Sequence, residues 1–198
     1  GAGKSTVMLT LAGLLPRLGG EVRGGDRSLP SGNPGRTNKS GLVLVPDSRA
    51  LFGGLTVAET LSLSEREGGV TSAEVSDLFP ALRKRWEVKA AALSGGEQQM
   101  LAVARALVQK PGVLLIDEMS MGLAPVIVEG LLPVVRDIAD STGAAVILVE
   151  QHVALALEVA DEAMVLVHGA VTLRGTAAEL RKSPEVLRGA YFGGDTAA

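Results

Sequence analysis

The 198-residue chain contains no cysteine. This excludes a disulfide scaffold and a thiolate metal site. No apolar run reaches the roughly 18 residues that a membrane-spanning helix needs. Positive charge is also scarce: 19 Lys and Arg face 22 Asp and Glu, for a net charge of −3. There is thus no electrostatic case for a nucleic-acid partner. The chain has no signal-peptide pattern, no internal repeat and no linker long enough to separate two domains. Together these absences favour a cytoplasmic globular protein of one domain, with room for a subdomain. The 46% hydrophobic and 21% charged content supports a packed core rather than disorder.

The most informative stretch is Leu93 to Glu118, LSGGEQQMLAVARALVQKPGVLLIDE. Ser94-Gly95-Gly96-Glu97 has the S-x-x-E form of a capping box. Leu101, Ala104 and Leu107/Val108 then recur at helical spacing. Gly95 and Gly96 leave the first helical amides bare, which makes this helix start an anion site. Pro111-Gly112 stops the helix, and Val113–Ile116 reads as a strand covered on both faces. Asp117 and Glu118 fall at its C-terminal tip, where ligands of open α/β sheets bind. A capped helix before a buried strand would fit many proteins. The order anion-type cap, helix, apolar strand, Asp-Glu is far more specific.

Gly1-Ala2-Gly3-Lys4-Ser5-Thr6 matches the last part of G-x-x-x-x-G-K-[ST], the phosphate loop. Small residues let backbone N–H groups close on phosphates. Lys4 can reach the β and γ phosphates of a bound nucleotide, and Ser5 can ligate Mg²⁺. The first glycine of the motif and the strand that feeds it would precede residue 1, so the sequence reads as truncated at its start.

Elsewhere, Val7–Leu15 reads as a helix with Val7, Leu11 and Leu14/Leu15 on one face, ended by Pro16. Residues 19–41 read as loops around a short strand near Glu21–Arg23, and Leu42–Val45 as a buried strand. Asp47 follows Pro46, as a turn residue or as a carboxylate for Mg²⁺ or water. Residues 58–92 read as helical, anchored by Leu61, Leu63, Val75, Leu78, Phe79 and Leu82. Arg83-Lys84-Arg85 reads as a solvated face and Trp86 as packing. Val126–Ser141 reads as a helix that Pro133 kinks or breaks. Ala144–Val149 reads as another buried strand with Glu150-Gln151-His152 at its tip, and His168-Gly169 as a hairpin turn. Ala177–Arg181 and Glu185–Ala190 read as short helices.

The chain resembles the ABC-transporter ATPases from inside the phosphate loop to its C-terminus. VPDSRALF with LTVAET, LFPALRKR, LSGGEQQMLAVARAL, SMGLAP, LVEQH and SPEVLRGAYFGG are most similar to one branch, the ATP-binding subunits of branched-chain amino acid importers. The resemblance implies an α/β P-loop NTPase fold with a mainly parallel sheet. It implies a single ATPase domain over 1–198 with a helical subdomain inserted at 58–100. Gly1 to Thr6 would bind phosphate, with Ser5, Asp117 and Asp47 near Mg²⁺. Glu118 would polarise the attacking water, and Ser94, Gly95, Gly96 and Glu97 would meet the γ-phosphate on an opposite subunit. The implied partners are a second ATPase subunit, two membrane permeases at the cytoplasmic face and, indirectly, an extracytoplasmic solute-binding protein. The permeases would be engaged through the helical subdomain and the Asp47 loop.

Three positions depart from the family pattern. Asp47 stands where glutamine is usual, Met119 replaces a proline, and Ala124 replaces a common aspartate. Counting back from Ala160-Asp161 puts the switch position at Gln151, with His152 one place beyond it. Alternative readings are an ATPase of another importer, an ABC ATPase acting on nucleic acid or ribosomes, and a non-hydrolysing nucleotide-binding partner. The second lacks a basic face or a tandem half here, and Glu118 speaks against the third.

Overall fold

The computed structural model describes residues 2–192. Gly1, expected in the phosphate loop, and the last glycines of the C-terminal motif lie outside the described residues. The chain opens with helix α1 (Lys4–Leu11), the small antiparallel hairpin β1 (Arg23–Gly24) and β2 (Arg27–Ser28), and helix α2 (Pro34–Lys39). Strand β3 (Leu42–Val45) follows, then the short helices α3 (Val57–Ser62), α4 (Ser72–Leu78) and α5 (Pro80–Arg83) and a 3₁₀ turn at Ala90–Ala92. Helix α6 (Gly95–Leu107) leads into β4 (Val113–Asp117), and α7 (Pro125–Thr142) into β5 (Ala145–Val149). The last part comprises α8 (Val153–Val159), β6 (Glu162–Val167), β7 (Ala170–Thr176), α9 (Ala177–Lys182) and α10 (Pro184–Phe192).

Strands β3, β4 and β5 form a parallel sheet in that order, with Val43 opposite Leu114 and Leu114 opposite Val146. Because side chains alternate along a strand, the two faces bury different sets. Leu42, Leu44, Val113 and Leu115 meet Met8, Ala12 and Leu29 on the α1 side. Val43, Val45, Leu114 and Ile116 join the larger cluster on the other side, with Leu101, Val103 and Leu107 of α6 and Leu131 and Val135 of α7. That cluster continues into Leu61, Val75, Phe79 and Leu82, so residues 58–92 share one core with the sheet. Leu101 has no solvent exposure at its centre. Leu101→Ala is expected to cost about 2–5 kcal/mol of folding stability, the range for a buried leucine whose cavity cannot collapse. Chemical denaturation of both proteins would measure the difference.

Several expectations are corrected. Helix α1 ends at Leu11 rather than Leu15, where Gly13 turns the chain at φ +75°. Its buried side is Met8 with the following Ala12, while Val7, Leu14 and Leu15 are exposed. Leu63 and Leu78 fall at the ends of short helices and are also exposed. Strand β5 is only half-buried, since it borders the sheet of described strands and Ile147 faces outward at 38% exposure. Helix α7 runs through Pro133 without a break. Pro133 lies on the exposed side of the helix, so water can satisfy the carbonyl that loses its amide partner. Arg83, Lys84 and Arg85 are exposed and Trp86 packs against the core, as expected.

Candidate functional site

Gly3 caps α1 at φ +92°, a conformation that L side chains rarely adopt. Its carbonyl accepts from the Val7 amide at 3.0 Å, turning the loop directly into the helix. The Ala2 carbonyl accepts from the Gly169 amide at 3.1 Å, so the β6–β7 turn braces the phosphate loop. That turn has positive φ at both His168 and Gly169, the conformation of a tight hairpin, and was legible as a hairpin. Its contact with Ala2 was not legible, because it joins segments far apart in sequence.

Lys4 and Ser5 begin α1, and the helix packs onto the sheet beside β4. Ser5 starts this helix beside Asp117 at the tip of β4, close enough to act on its ionisation. Asp117 is 4% exposed, and its Oδ1 has no hydrogen-bond partner among the described residues. Burial raises its pKa above the usual carboxylate range, the neighbouring Asp47 and Glu118 charges raise it further, and Ser5 and Lys4 oppose the rise. Asp47 itself is exposed and accepts from the Ser48 amide at 2.7 Å, a local turn contact. It therefore serves the turn and adds negative charge beside Asp117.

Among the described residues no three His, Cys, Asp or Glu side chains cluster closely enough to hold a metal ion. The available donors are a serine hydroxyl and carboxylates, one of them bearing an orphaned buried oxygen. That oxygen set suits Mg²⁺, which keeps several waters and shares the rest of its shell with phosphates.

Glu118 adopts φ +49°, uncommon for a residue with a side chain and a marker of stored strain. Its amide donates to the Val149 carbonyl at 3.0 Å and its carbonyl accepts from the Met121 amide at 3.1 Å. The Glu118 carboxylate accepts from Gln151 Nε2 at 3.0 Å. Gln151 and Glu118 are therefore partners across the tips of β4 and β5. His152 instead precedes α8, where its side chain makes no capping hydrogen bond, and it is exposed.

The capping box at α6 forms as expected. The Ser94 hydroxyl accepts from the Glu97 amide at 3.3 Å, and the Glu97 carboxylate accepts from the Ser94 amide at 2.8 Å. The Ser94 amide and the Arg85 guanidinium, 2.8 and 3.0 Å from the Glu97 carboxylate, hold its pKa below the usual carboxylate range. Ser94 and Gly95 are exposed, and the Gly95 and Gly96 amides have no partner among the described residues. A methyl on Gly96 would lie 3.2 Å from the Ile127 side chain of α7, a tight contact that Ile127 would have to relieve. No hydrogen bond among the described residues joins Ser94, Gly95, Gly96 or Glu97 to the phosphate loop. The start of α6 and the phosphate loop are thus separate places on the chain.

Two further groups of contacts were missed. Arg49, at φ +63°, donates to the Gln98 and Gln99 side chains at 3.1 and 3.0 Å, and Arg105 donates to the carbonyls of Arg49 and Ala50. They bind the Asp47 loop to α6. Glu150 accepts from the Ser120 amide at 2.9 Å, from the Ser120 hydroxyl and from the Gln151 amide at 3.1 Å. The sequence signals for Glu150 were a carboxylate at a strand tip and its place in the LVEQH stretch, neither of which names its partners.

A family model described as ABC transporter matches residues 1–121. The chain is 39% identical to the high-affinity branched-chain amino acid transport ATP-binding protein BraG of Pseudomonas aeruginosa, over 98% of this chain and 84% of the relative. It is 40% identical to the probable branched-chain amino acid transport ATP-binding protein LivF of Archaeoglobus fulgidus, over 91% of this chain and 78% of the relative. Among solved structures, cbiO1 of Clostridium perfringens, part of an ABC transporter complex, superposes with a TM-score of 0.76. It is 22% identical and covers 94% of this chain and 78% of its own, which shows a shared fold. With the phosphate loop, the Asp117-Glu118 strand tip and the capped α6 in place, this chain belongs to the ATP-binding proteins of the ABC transporter family.

Proposed function

We propose that the chain is the ATP-hydrolysing subunit of an importer for branched-chain amino acids. The observation that carries this reading is the Gln151–Glu118 hydrogen bond beside the buried Asp117, whose Oδ1 is unpartnered among the described residues, at the strand tip next to which the phosphate-loop helix starts. Support for the branch comes from BraG and LivF, whose names specify branched-chain amino acid transport.

In this reading Gly1 to Thr6 cradle the phosphates and Lys4 holds the β and γ groups. Mg²⁺ would be held by Ser5 and by Asp117 through water, with Asp47 nearby, and when bound it supplies charge compensation at the phosphates. Glu118 orients a water for in-line attack and accepts its proton. Gln151 fixes the Glu118 carboxylate and offers its amide toward the transferring group. The exposed start of α6 meets the γ-phosphate on a second ATPase subunit, so two chains together complete two sites. ATP would close that pair, and hydrolysis would let it reopen. Residues 58–100 and the Asp47 loop, tied together through Arg49 and Arg105, would pass the movement to two membrane permeases at the cytoplasmic face. A solute-binding protein outside the membrane would deliver the amino acid. Among the described residues no helix is long and apolar enough to cross a membrane.

Gln151→Ala is expected to lower kcat by roughly 10- to 150-fold with little change in ATP affinity, the range for losing one hydrogen bond to a charged acceptor. His152→Ala should have far less effect. Steady-state ATPase rates and nucleotide titrations on both variants test the assignment. A large loss for His152→Ala beside a silent Gln151→Ala would overturn it.

A further inference from the structure

Glu150 is placed to do more than end a strand. Its carboxylate gathers the amide and hydroxyl of Ser120 and the amide of Gln151. Ser120 is 4% exposed and lies two residues beyond Glu118. Gln151, the neighbour of Glu150, donates its side-chain amide to the Glu118 carboxylate. One carboxylate thereby ties the loop that leaves β4 to the segment that leaves β5. Glu118 sits in a backbone conformation that surrounding contacts must hold. Its own amide is held by Val149, immediately before Glu150, so the restraint is continuous across both strand tips.

We propose that Glu150 is a positioning residue that sets the distance between Glu118 and Gln151 by clamping Ser120 and the Gln151 backbone. The proposal rests on the ATPase reading for its effect on turnover, while the clamp is a property of the folded chain. An ionised carboxylate suits this role because all three of its partners are donors. Glutamine in its place has one oxygen and an NH₂ group that would face a donor. The clamp also gives the loop that begins Met119-Ser120-Met121 a mechanical link to the catalytic pair.

The test uses the full chain with Glu150→Ala, Glu150→Gln and Ser120→Ala, each checked for cooperative thermal unfolding. Amide hydrogen exchange without nucleotide reads the clamp directly. Exchange at Ser120 and Gln151 is expected to rise at least about tenfold in Glu150→Ala, while α6 and β3 stay unchanged, the pattern of local rather than global opening. Unchanged exchange at both amides would overturn the clamp. In steady-state hydrolysis, Glu150→Ala should lower kcat about tenfold or more with the ATP affinity altered less than about threefold, a loss confined to the transition state. Adding Gln151→Ala to Glu150→Ala should cost little more, because Gln151 has already lost its register. If Gln151→Ala instead costs its full factor in the Glu150→Ala background, Glu150 does not position Gln151. A wild-type chain without ATP turnover would sink the ATPase reading, and amide exchange would still decide whether Glu150 is the clamp.

Discussion

Glu118→Gln is expected to bind ATP as the wild type does and to lose turnover by roughly 10²- to 10⁴-fold, the contribution typical of a positioned general base. The substitution keeps the size of the side chain and leaves the backbone contacts with Val149 and Met121 intact. The new amide can still pair with Gln151 by presenting its oxygen to Nε2, so the strand tips should keep their arrangement. What it loses is the capacity to accept a proton from water. With hydrolysis blocked and binding retained, an ATP-dependent dimer should accumulate and elute early from a sizing column. Hydrolysis within a few-fold of wild type would remove Glu118 from the reaction.

Ser94→Arg is expected to abolish ATP-driven association while leaving nucleotide binding by each chain nearly unchanged. Ser94 is exposed at the start of α6, and its hydroxyl and amide both take part in the capping box. Loss of such a cap costs about 0.5–2 kcal/mol, too little to unfold a helix whose Leu101, Val103 and Leu107 are buried. The long cation would instead stand where a phosphate on the facing subunit must approach the Gly95 and Gly96 amides. Helix α1, into which the phosphate loop leads, packs on the opposite face of the sheet from α6, so nucleotide binding should be untouched. Placed in the Glu118→Gln background, Ser94→Arg should convert the trapped dimer to monomers at saturating ATP. Persistence of the dimer would mean that α6 does not face a phosphate across an interface.

Much of this arrangement was legible because local chemistry and long-range packing agree. The capping box, the helical spacing of Leu101 and Leu107, and the run Val113–Ile116 each specify the element that forms. The face of α1 was not legible: Val7, Met8, Leu9 and Leu11 surround the helix, so periodicity offers no single buried side. Burial of β5 was overestimated for a related reason. Its apolar run resembles the four apolar residues of β4, but a border strand in the described sheet lacks the second neighbour that covers β4. Pro133 was expected to kink or break α7; no break occurs, and its position toward solvent lets the helix continue past it.

At the site, Ser5, Lys4, Asp117 and Glu118 stood out because their residue types follow phosphate chemistry. Gln151 was found by counting positions, and its hydrogen bond to Glu118 gives that count a structural partner. Glu150, Arg49 and Arg105 were hidden for a different reason. Their long-range partners lie 30 to 56 residues away, and nothing in the local pattern announces which carbonyl or amide folding will bring to them. The strain at Glu118 was equally invisible, since only the folded backbone reveals a positive φ.

The most direct test of the importer assignment is uptake of radiolabelled leucine, isoleucine and valine by cells deleted for this gene and supplied with wild type or Glu118→Gln. Uptake restored by the wild type and not by Glu118→Gln is the expected result. Undiminished uptake of all three amino acids in the deleted cells, with loss of a different solute instead, would contradict it.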